Sequence, residues 1–204
     1  MNEAKTSRMW GIFDESGVFL SLCHHGFVLL VVDMVRSGEL AKYPLATVNA
    51  LLSAFGPNLG VGYDIGCQFQ TSVSRSPLQE QAASLKLTPL VGSFHGHAHN
   101  RLCQLSHLST YVKGVGLEDL EGCEQFFSKS NALANCTRYA STFHRQQEIT
   151  LFFNHVDNYD TYPNLIKFLV DNYYHVLEIL QGEETLRLEM AGKRSPIPTL
   201  SLCG

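Results

Sequence analysis

The sequence predicts an α/β fold built on a mixed β-sheet. Three observations predict it: two apolar β-type runs come first, helical repeats of apolar residues separate the later strands, and helices fill the last third of the chain. Of the 204 residues, 45% are hydrophobic and 17% are charged, so the chain can bury a sizeable core. The predicted order of elements is strand, strand, helix, strand, helix, strand and then helices.

The first two strands are predicted to form a hairpin. GVFLSLC (17–23) and FVLLVVDMV (27–35) are apolar runs with many β-branched and aromatic residues. The intervening HHG (24–26) is short and contains a glycine, which is typical of a hairpin turn. The second run is apolar on both faces, which indicates a strand covered on both sides.

A helix is predicted after the hairpin, in SGELAKYPLATVNALLSAFGPN (37–58). Its apolar residues recur at helical spacing, and Ser37 is the predicted N-cap. Pro44 predicts either a kink or the true start of the helix, because proline is tolerated only in the first turn. Gly56 and the proline after it predict its end.

The remaining elements place one acid at the end of a strand. LGVGYDI (59–65) predicts a short strand with Asp64 near its carboxyl end. A helix is predicted within 77–87 and another short strand in LVGSF (90–94). Nearly all of 119–181 has helical character.

This order of elements predicts a ribonuclease H-like fold that lacks its first strand. In that fold a three-stranded antiparallel start is followed by helix, strand, helix, strand and helix. The hairpin takes the place of the second and third strands, because only about ten polar residues precede Gly11. We expect residues 1–135 to form this core, incomplete at its N-terminus, residues 136–185 to form a helical extension of the same domain, and residues 186–204 to form a flexible tail.

Composition narrows the classes of function. The net charge of −4 gives no global attraction to nucleic acid. No apolar run reaches the roughly 18 residues that a membrane span needs, so no membrane partner is expected. The six cysteines contain no CxxC pair, which favours a reducing intracellular compartment over a disulfide framework.

Acidic residues that could join Asp64 lie in GLEDLEGCEQFF (116–127). Glu121 and Glu124 are three residues apart at the start of a predicted helix and share one of its faces. Clustered carboxylates are the ligands that Mg²⁺ and Mn²⁺ prefer. The alternative is an ordinary helix start, where acids interact favourably with the helix dipole.

Several of these motifs, in this order, resemble the core of fungal KDZ (Kyakuja–Dileera–Zisupton) transposases. The matching stretches span roughly residues 8–180: MWGIFDESGVF, CHHGFVLLVVDMVRSGELAKYPLA, YDIGC, FHGHAHNRLCQ and GVGLEDLEGCEQFFSKSNALA. The resemblance implies a ribonuclease H-like domain whose acidic triad binds two Mg²⁺ or Mn²⁺ ions and cuts and joins DNA. It also implies a nuclear location, transposon ends as the DNA partner, and a homo-oligomer.

The resemblance assigns roles to three residues. Asp64 of YDIGC matches the family's second acid, and Glu121 is the first choice for the third acid, with Glu124 as the second choice. The family's first acid lies on a strand upstream of the hairpin, and Asp33 matches a different place in the family's motifs. We therefore expect a truncated core fragment that is incomplete or inactive as a transposase.

A second group of metal-binding residue types lies in FHGHAHNRLCQ (94–104). His95, His99 and Cys103 are four residues apart in succession, so on one helix they would project from one face. Cys67 is a candidate fourth ligand, and thiolate with imidazole is the usual donor set of structural Zn²⁺. His97 and His107 lie nearby as well, so the pattern of candidate ligands is not clean. The alternatives are core packing, local hydrogen bonding and contact with DNA phosphate.

Two other functions stay open from the sequence. One is a catalytically dead, transposon-derived DNA-binding remnant. The other is an unrelated α/β protein whose Cys/His segment binds structural zinc. Metal-dependent cleavage of DNA would separate the first from an active transposase, and metal analysis would identify the second.

Overall fold

The computed structural model describes residues 14–116 and 118–192. The chain divides into two compact units, Met1–Asp157 and Asn158–Gly204. Strands and helices of the first unit alternate, as the sequence predicts for a mixed α/β protein. Within the described residues, no helix combines the length and the apolar character needed to cross a bilayer.

The predicted hairpin is confirmed. Strand β1 (Glu15–Leu22) pairs antiparallel with β2 (Val28–Val35). The turn is closed by a hydrogen bond from the Cys23 N–H to the carbonyl of Phe27 at 3.0 Å. Gly26 has a φ of 92°, a conformation that glycine adopts without a steric penalty.

Helix α1 (Lys42–Phe55) follows the hairpin, and its start corrects the sequence prediction. Ser37 is not the N-cap, because the helix begins five residues later with Pro44 in its first turn. The Ser37 hydroxyl instead lies 2.6 Å from the Tyr43 hydroxyl. The helix ends before Gly56, whose φ of 76° stops it as predicted.

A parallel pair of short strands positions Asp64. Strand β3 (Gly60–Gly62) pairs with β4 (Thr88–Leu90), and the Tyr63 N–H donates to the Leu90 carbonyl at 3.0 Å. A parallel pair needs a crossover connection, and here it contains helices α2 (Gly66–Ser74) and α3 (Gln79–Ser84). Asp64 therefore lies at the carboxyl end of β3, as the sequence predicts.

The four strands of the described residues form two separate two-stranded sheets, whereas the sequence predicts a single mixed sheet. Side chains rather than backbone hydrogen bonds join the hairpin to the parallel pair. The rings of Phe19 on β1 and Tyr63 after β3 meet edge to face, with centroids 6.2 Å apart. In the part of the chain that the structure describes, no strand pairing joins the two sheets.

Helices complete the first unit. Two short ones follow β4, α4 (Ser93–Gly96) and α5 (Arg101–His107), and two longer ones come next, α6 (Gly122–Thr137) and α7 (Thr142–Val156). One buried cluster packs α1 against α2 and α3, and consists of Val48, Leu52, Phe69, Val73 and Ala82. A second packs β1 against α6 and α7, and consists of Leu20, Phe126 and Val156.

The second unit is dominated by one long helix. A π-helical turn, Asp157–Thr161, leads into α8 (Tyr162–Gly192). Ion pairs one turn apart, Lys167 with Asp171 at 2.7 Å and Arg187 with Glu183 at 2.8 Å, lie along this helix. The predicted flexible tail lies mostly in residues 193–204, which are outside the described part of the chain.

Candidate metal centres

The loop that carries Asp64 is held against β4 by a glycine. Gly66 begins α2, and a Cβ at this position would lie 2.0 Å from the Leu90 carbonyl oxygen. The Gly66 N–H donates to the Tyr63 carbonyl at 2.8 Å and closes a turn around Asp64. The Asp64 side chain is 55% exposed, so its carboxylate is open to solvent at this edge.

A second acid comes from the segment that precedes α6. This segment runs beside α4, where the Ser93 N–H donates to the Asp119 carbonyl at 2.8 Å. The Phe94 N–H donates to Oε1 of Glu121, also at 2.8 Å. Gly92 leaves room for this carboxylate, since a Cβ there would lie 2.4 Å from the same oxygen. These contacts leave the Glu121 side chain only 14% exposed.

His95 lies between the two acids. Its Nδ1 is 3.5 Å from Oδ1 of Asp64 and 3.7 Å from Oε2 of Glu121. The same Nδ1 is buried and makes no hydrogen bond with any described group. Because a buried polar atom is costly without a partner, this nitrogen marks a place where a ligand would be stabilising.

Glu124 approaches from the first turn of α6. One ligand atom from each of Asp64, His95 and Glu124 lies within 4.8 Å of the other two. Burial raises the pKa of the neighbouring Cys123 thiol to about 11, and the carboxylates of Asp64 and Glu124 act in the same direction, which keeps this thiol neutral. We call Asp64, His95, Glu121 and Glu124 the acid site. Glu121 and Glu124, the two acids predicted to join Asp64, therefore both lie near it. Glu124 is the one that belongs to the group within 4.8 Å.

A second group, the Cys/His cluster, consists of Cys67, His99, Cys103 and His107. Nδ1 of His99 lies 3.5 Å from Sγ of Cys67 and 3.2 Å from Sγ of Cys103. The ligand atoms of these three residues all lie within 4.8 Å of one another. Nδ1 of His107 is 3.9 Å from Sγ of Cys103.

This arrangement corrects the zinc set suggested by the sequence. His95, His99 and Cys103 do not share one helix, because α4 ends at Gly96 and α5 begins at Arg101. His95 consequently joins the acid site, while His99 and Cys103 join Cys67. His107 was missed, although its spacing of four residues from Cys103 within a helix could have indicated it.

Asp33 takes no part in either group. Its carboxylate forms an ion pair with Arg145 of α7, and the amide of Gln146 donates to it at 3.2 Å. The pair is mostly buried, with the Arg145 side chain 13% and the Asp33 side chain 24% exposed. Asp33 therefore ties β2 to α7.

The comparisons with known proteins identify a family. A family model described as Kyakuja-Dileera-Zisupton transposase matches residues 1–157. These residues cover both the acid site and the Cys/His cluster. Searches of the curated proteins and of the solved structures returned no match.

Proposed function

Because this chain belongs to the Kyakuja-Dileera-Zisupton transposase family, we propose that its acid site binds a divalent cation and catalyses DNA strand cleavage and transfer. The observation that carries the proposal is the meeting of Asp64, His95 and Glu124 within 4.8 Å. These residues come from three separate elements, so their convergence is a product of the fold. An acid cluster formed only by a helix start would not include Asp64 and His95.

The donor set suits Mg²⁺ or Mn²⁺. Carboxylate oxygens are hard ligands that both ions accept, and an added imidazole favours Mn²⁺ over Mg²⁺. The buried Nδ1 of His95 has no hydrogen-bond partner within the described chain and faces two carboxylates. A cation between these groups would satisfy the nitrogen and neutralise the carboxylates. The residues present therefore fit such an ion.

Each residue has a proposed role. Asp64 and Glu124 supply oxygen ligands, and Asp64 is open to solvent on the side where a DNA backbone could approach. The Phe94 N–H orients Glu121 so that its second oxygen points at His95. A cation held there would supply Lewis-acid stabilisation of charge on the phosphodiester oxygens, so no protein side chain need form a covalent bond to DNA.

The strand order is also consistent with a ribonuclease H-like core. In this proposal β1 and β2 are the second and third strands of that fold, and β3 carries Asp64 at its carboxyl end. The DNA partner would be the ends of a transposable element, handled in the nucleus by a homo-oligomer of the chain. Membership of the transposase family supports these points.

One observation favours a second candidate, a catalytically inactive DNA-binding form. The residues described here group only two carboxylates with His95 within 4.8 Å, which is enough for one cation. Cleavage and transfer by a pair of metals needs ligands for both ions. If the acid site has no further ligands, the protein would bind one cation and DNA without cutting the DNA.

Nicking of supercoiled DNA in the presence and absence of Mn²⁺ tests the proposal. Mn²⁺-dependent nicking that disappears in Asp64→Asn and persists in Glu148→Gln, an exposed acid on α7, supports the enzyme. DNA binding without nicking by the unaltered chain would favour the inactive form. Nicking that survives Asp64→Asn would overturn the assignment of the acid site.

Gly92→Ala separates the roles of Glu121 and Glu124. The added Cβ would lie 2.4 Å from Oε1 of Glu121, so we expect this carboxylate to leave the Phe94 N–H. Mn²⁺ affinity, measured by calorimetry, should fall by about tenfold, the lower end of the effect of losing a group that orients a metal site. Gly60→Ala is the matched control, because its Cβ would make an ordinary 3.5 Å contact with Leu90. Unchanged Mn²⁺ affinity in Gly92→Ala would exclude Glu121 and leave Glu124 as the acid.

A further inference from the structure

The Cys/His cluster has the dimensions of a tetrahedral zinc site. With Zn–S about 2.3 Å and Zn–N about 2.0 Å, the ligand atoms of a tetrahedron lie roughly 3.5–3.8 Å apart. The two distances from Nδ1 of His99, 3.5 Å to Cys67 and 3.2 Å to Cys103, lie within a few tenths of an ångström of that spacing. These three ligands therefore need only small side-chain adjustments to accept the ion, whereas His107 lies outside their 4.8 Å group and must move closer.

Three polar groups converge here, because the Cys67 and Cys103 side chains hydrogen-bond to each other and both lie beside His99. Both thiols approach the same ring nitrogen of His99, and a neutral imidazole nitrogen has a single lone pair or a single proton. It can therefore bond one thiol well, and the second thiol is bonded through the first. A cation bound to two thiolates and to this nitrogen satisfies all three groups together.

His107 is placed to be the fourth ligand. Its Nε2 lies 2.9 Å from Oε1 of Gln70, and because an amide oxygen only accepts, Nε2 carries the proton. The other nitrogen, Nδ1, lies 3.9 Å from Sγ of Cys103 and would bind the ion in the tautomer that keeps its proton on Nε2. Metal-ligating histidines commonly donate their second ring N–H in this way. Nδ1 also lies 3.3 Å from the Cys103 carbonyl oxygen, a contact that metal binding would replace.

We propose that Cys67, His99, Cys103 and His107 bind one structural Zn²⁺, at a centre distinct from the acid site. Thiolate ligands select zinc, whereas the carboxylates of the acid site select Mg²⁺ or Mn²⁺, so the two centres discriminate by ligand type. The zinc would tie the start of α2 to α5 and to the connection between α4 and α5.

The position of the cluster gives the zinc a positioning role. Cys67 follows Asp64 by three residues, and His99 follows His95 by four. A metal that joins Cys67 to His99 therefore fixes the two backbone segments that carry Asp64 and His95. This role rests on the proposed function of the acid site, whereas zinc binding itself does not.

Elemental analysis of the purified full-length chain tests the site. We expect one zinc per chain, and replacement by Co²⁺ should give the intense visible bands of a tetrahedral ion with thiolate charge-transfer absorption. Cys67→Ser should lower the Zn²⁺ affinity by at least about 100-fold, since even outer partners of metal ligands are worth about 10- to 100-fold. Cys136→Ser is the matched control, because this cysteine is exposed and outside the cluster.

Two histidine variants test the composition of the site. His107→Ala should weaken Zn²⁺ binding, and His95→Ala should leave it unchanged while weakening Mn²⁺ binding. Circular dichroism checks that each variant is folded. The Co²⁺ spectrum of the unaltered chain tests thiolate ligation without any substitution. Absence of stoichiometric zinc, a Co²⁺ spectrum without thiolate bands, or a Cys67–Cys103 disulfide in the purified protein would overturn the proposal.

Discussion

Asp64→Asn is expected to lower the Mn²⁺ affinity of the acid site by at least about 100-fold, more than the loss of an outer partner of a metal ligand usually costs. Asparagine keeps the shape of the side chain and one oxygen but removes the negative charge. The Asp64 side chain is 55% exposed, with His95 3.5 Å from its carboxylate, so the fold should tolerate the change. Calorimetric titration with Mn²⁺ measures the effect.

Two further variants complete this prediction. Glu124→Gln should reproduce the loss of affinity, because Glu124 shares the 4.8 Å group with Asp64 and His95. Glu148→Gln on α7 should not, because its exposed carboxylate lies outside that group. If Asp64→Asn and Glu148→Gln bound Mn²⁺ equally well, Asp64 would not be a metal ligand.

Gly66→Ala is expected to destabilise the first unit by about 3 kcal/mol or more, at the upper end of the usual cost of overpacking. The new Cβ would lie 2.0 Å from the Leu90 carbonyl oxygen and 2.7 Å from its carbonyl carbon. Backbone atoms cannot rotate away as a side chain can. Relief would require β4 to separate from the start of α2, and the Tyr63–Leu90 hydrogen bond would be lost.

Gly122→Ala is the matched control for Gly66→Ala. Gly122 is also the first residue of a helix, and its Cβ would make an ordinary 3.8 Å contact with Leu22. Urea unfolding of the two variants, followed by circular dichroism, gives the difference in the free energy of unfolding. Equal stability of the two variants would contradict the close approach of α2 to β4.

Local sequence patterns predicted the elements better than their arrangement. The apolar runs and the HHG turn predicted β1 and β2, and the Gly-Pro pair predicted the end of α1. The pairing of β3 with β4 is different, because it joins residues 28 positions apart in the chain. Whether the hairpin and this pair form one sheet is likewise a matter of long-range contacts, which no short-range pattern encodes.

In the candidate sites, too, local patterns predicted the candidate residues better than which of them meet. Asp64 and the acidic helix start were predicted from their positions at element ends, and they do come close together. The regular spacing predicted His95 on one helix face with His99 and Cys103, whereas the helix is interrupted and His95 lies with Asp64 and Glu124. A local signal pointed the other way: Asn100 caps α5, and its side-chain oxygen accepts from the Cys103 N–H at 2.9 Å.

The acid site of Asp64, His95, Glu121 and Glu124 is tested most directly by a crystal structure of the full chain grown with Mn²⁺. The account predicts an anomalous difference peak between the Asp64 and Glu124 carboxylates, with oxygen–metal distances of about 2.1 Å. His95 should contact the same ion through Nδ1. A peak bound elsewhere, or no peak at saturating Mn²⁺ with these side chains ordered, would contradict it.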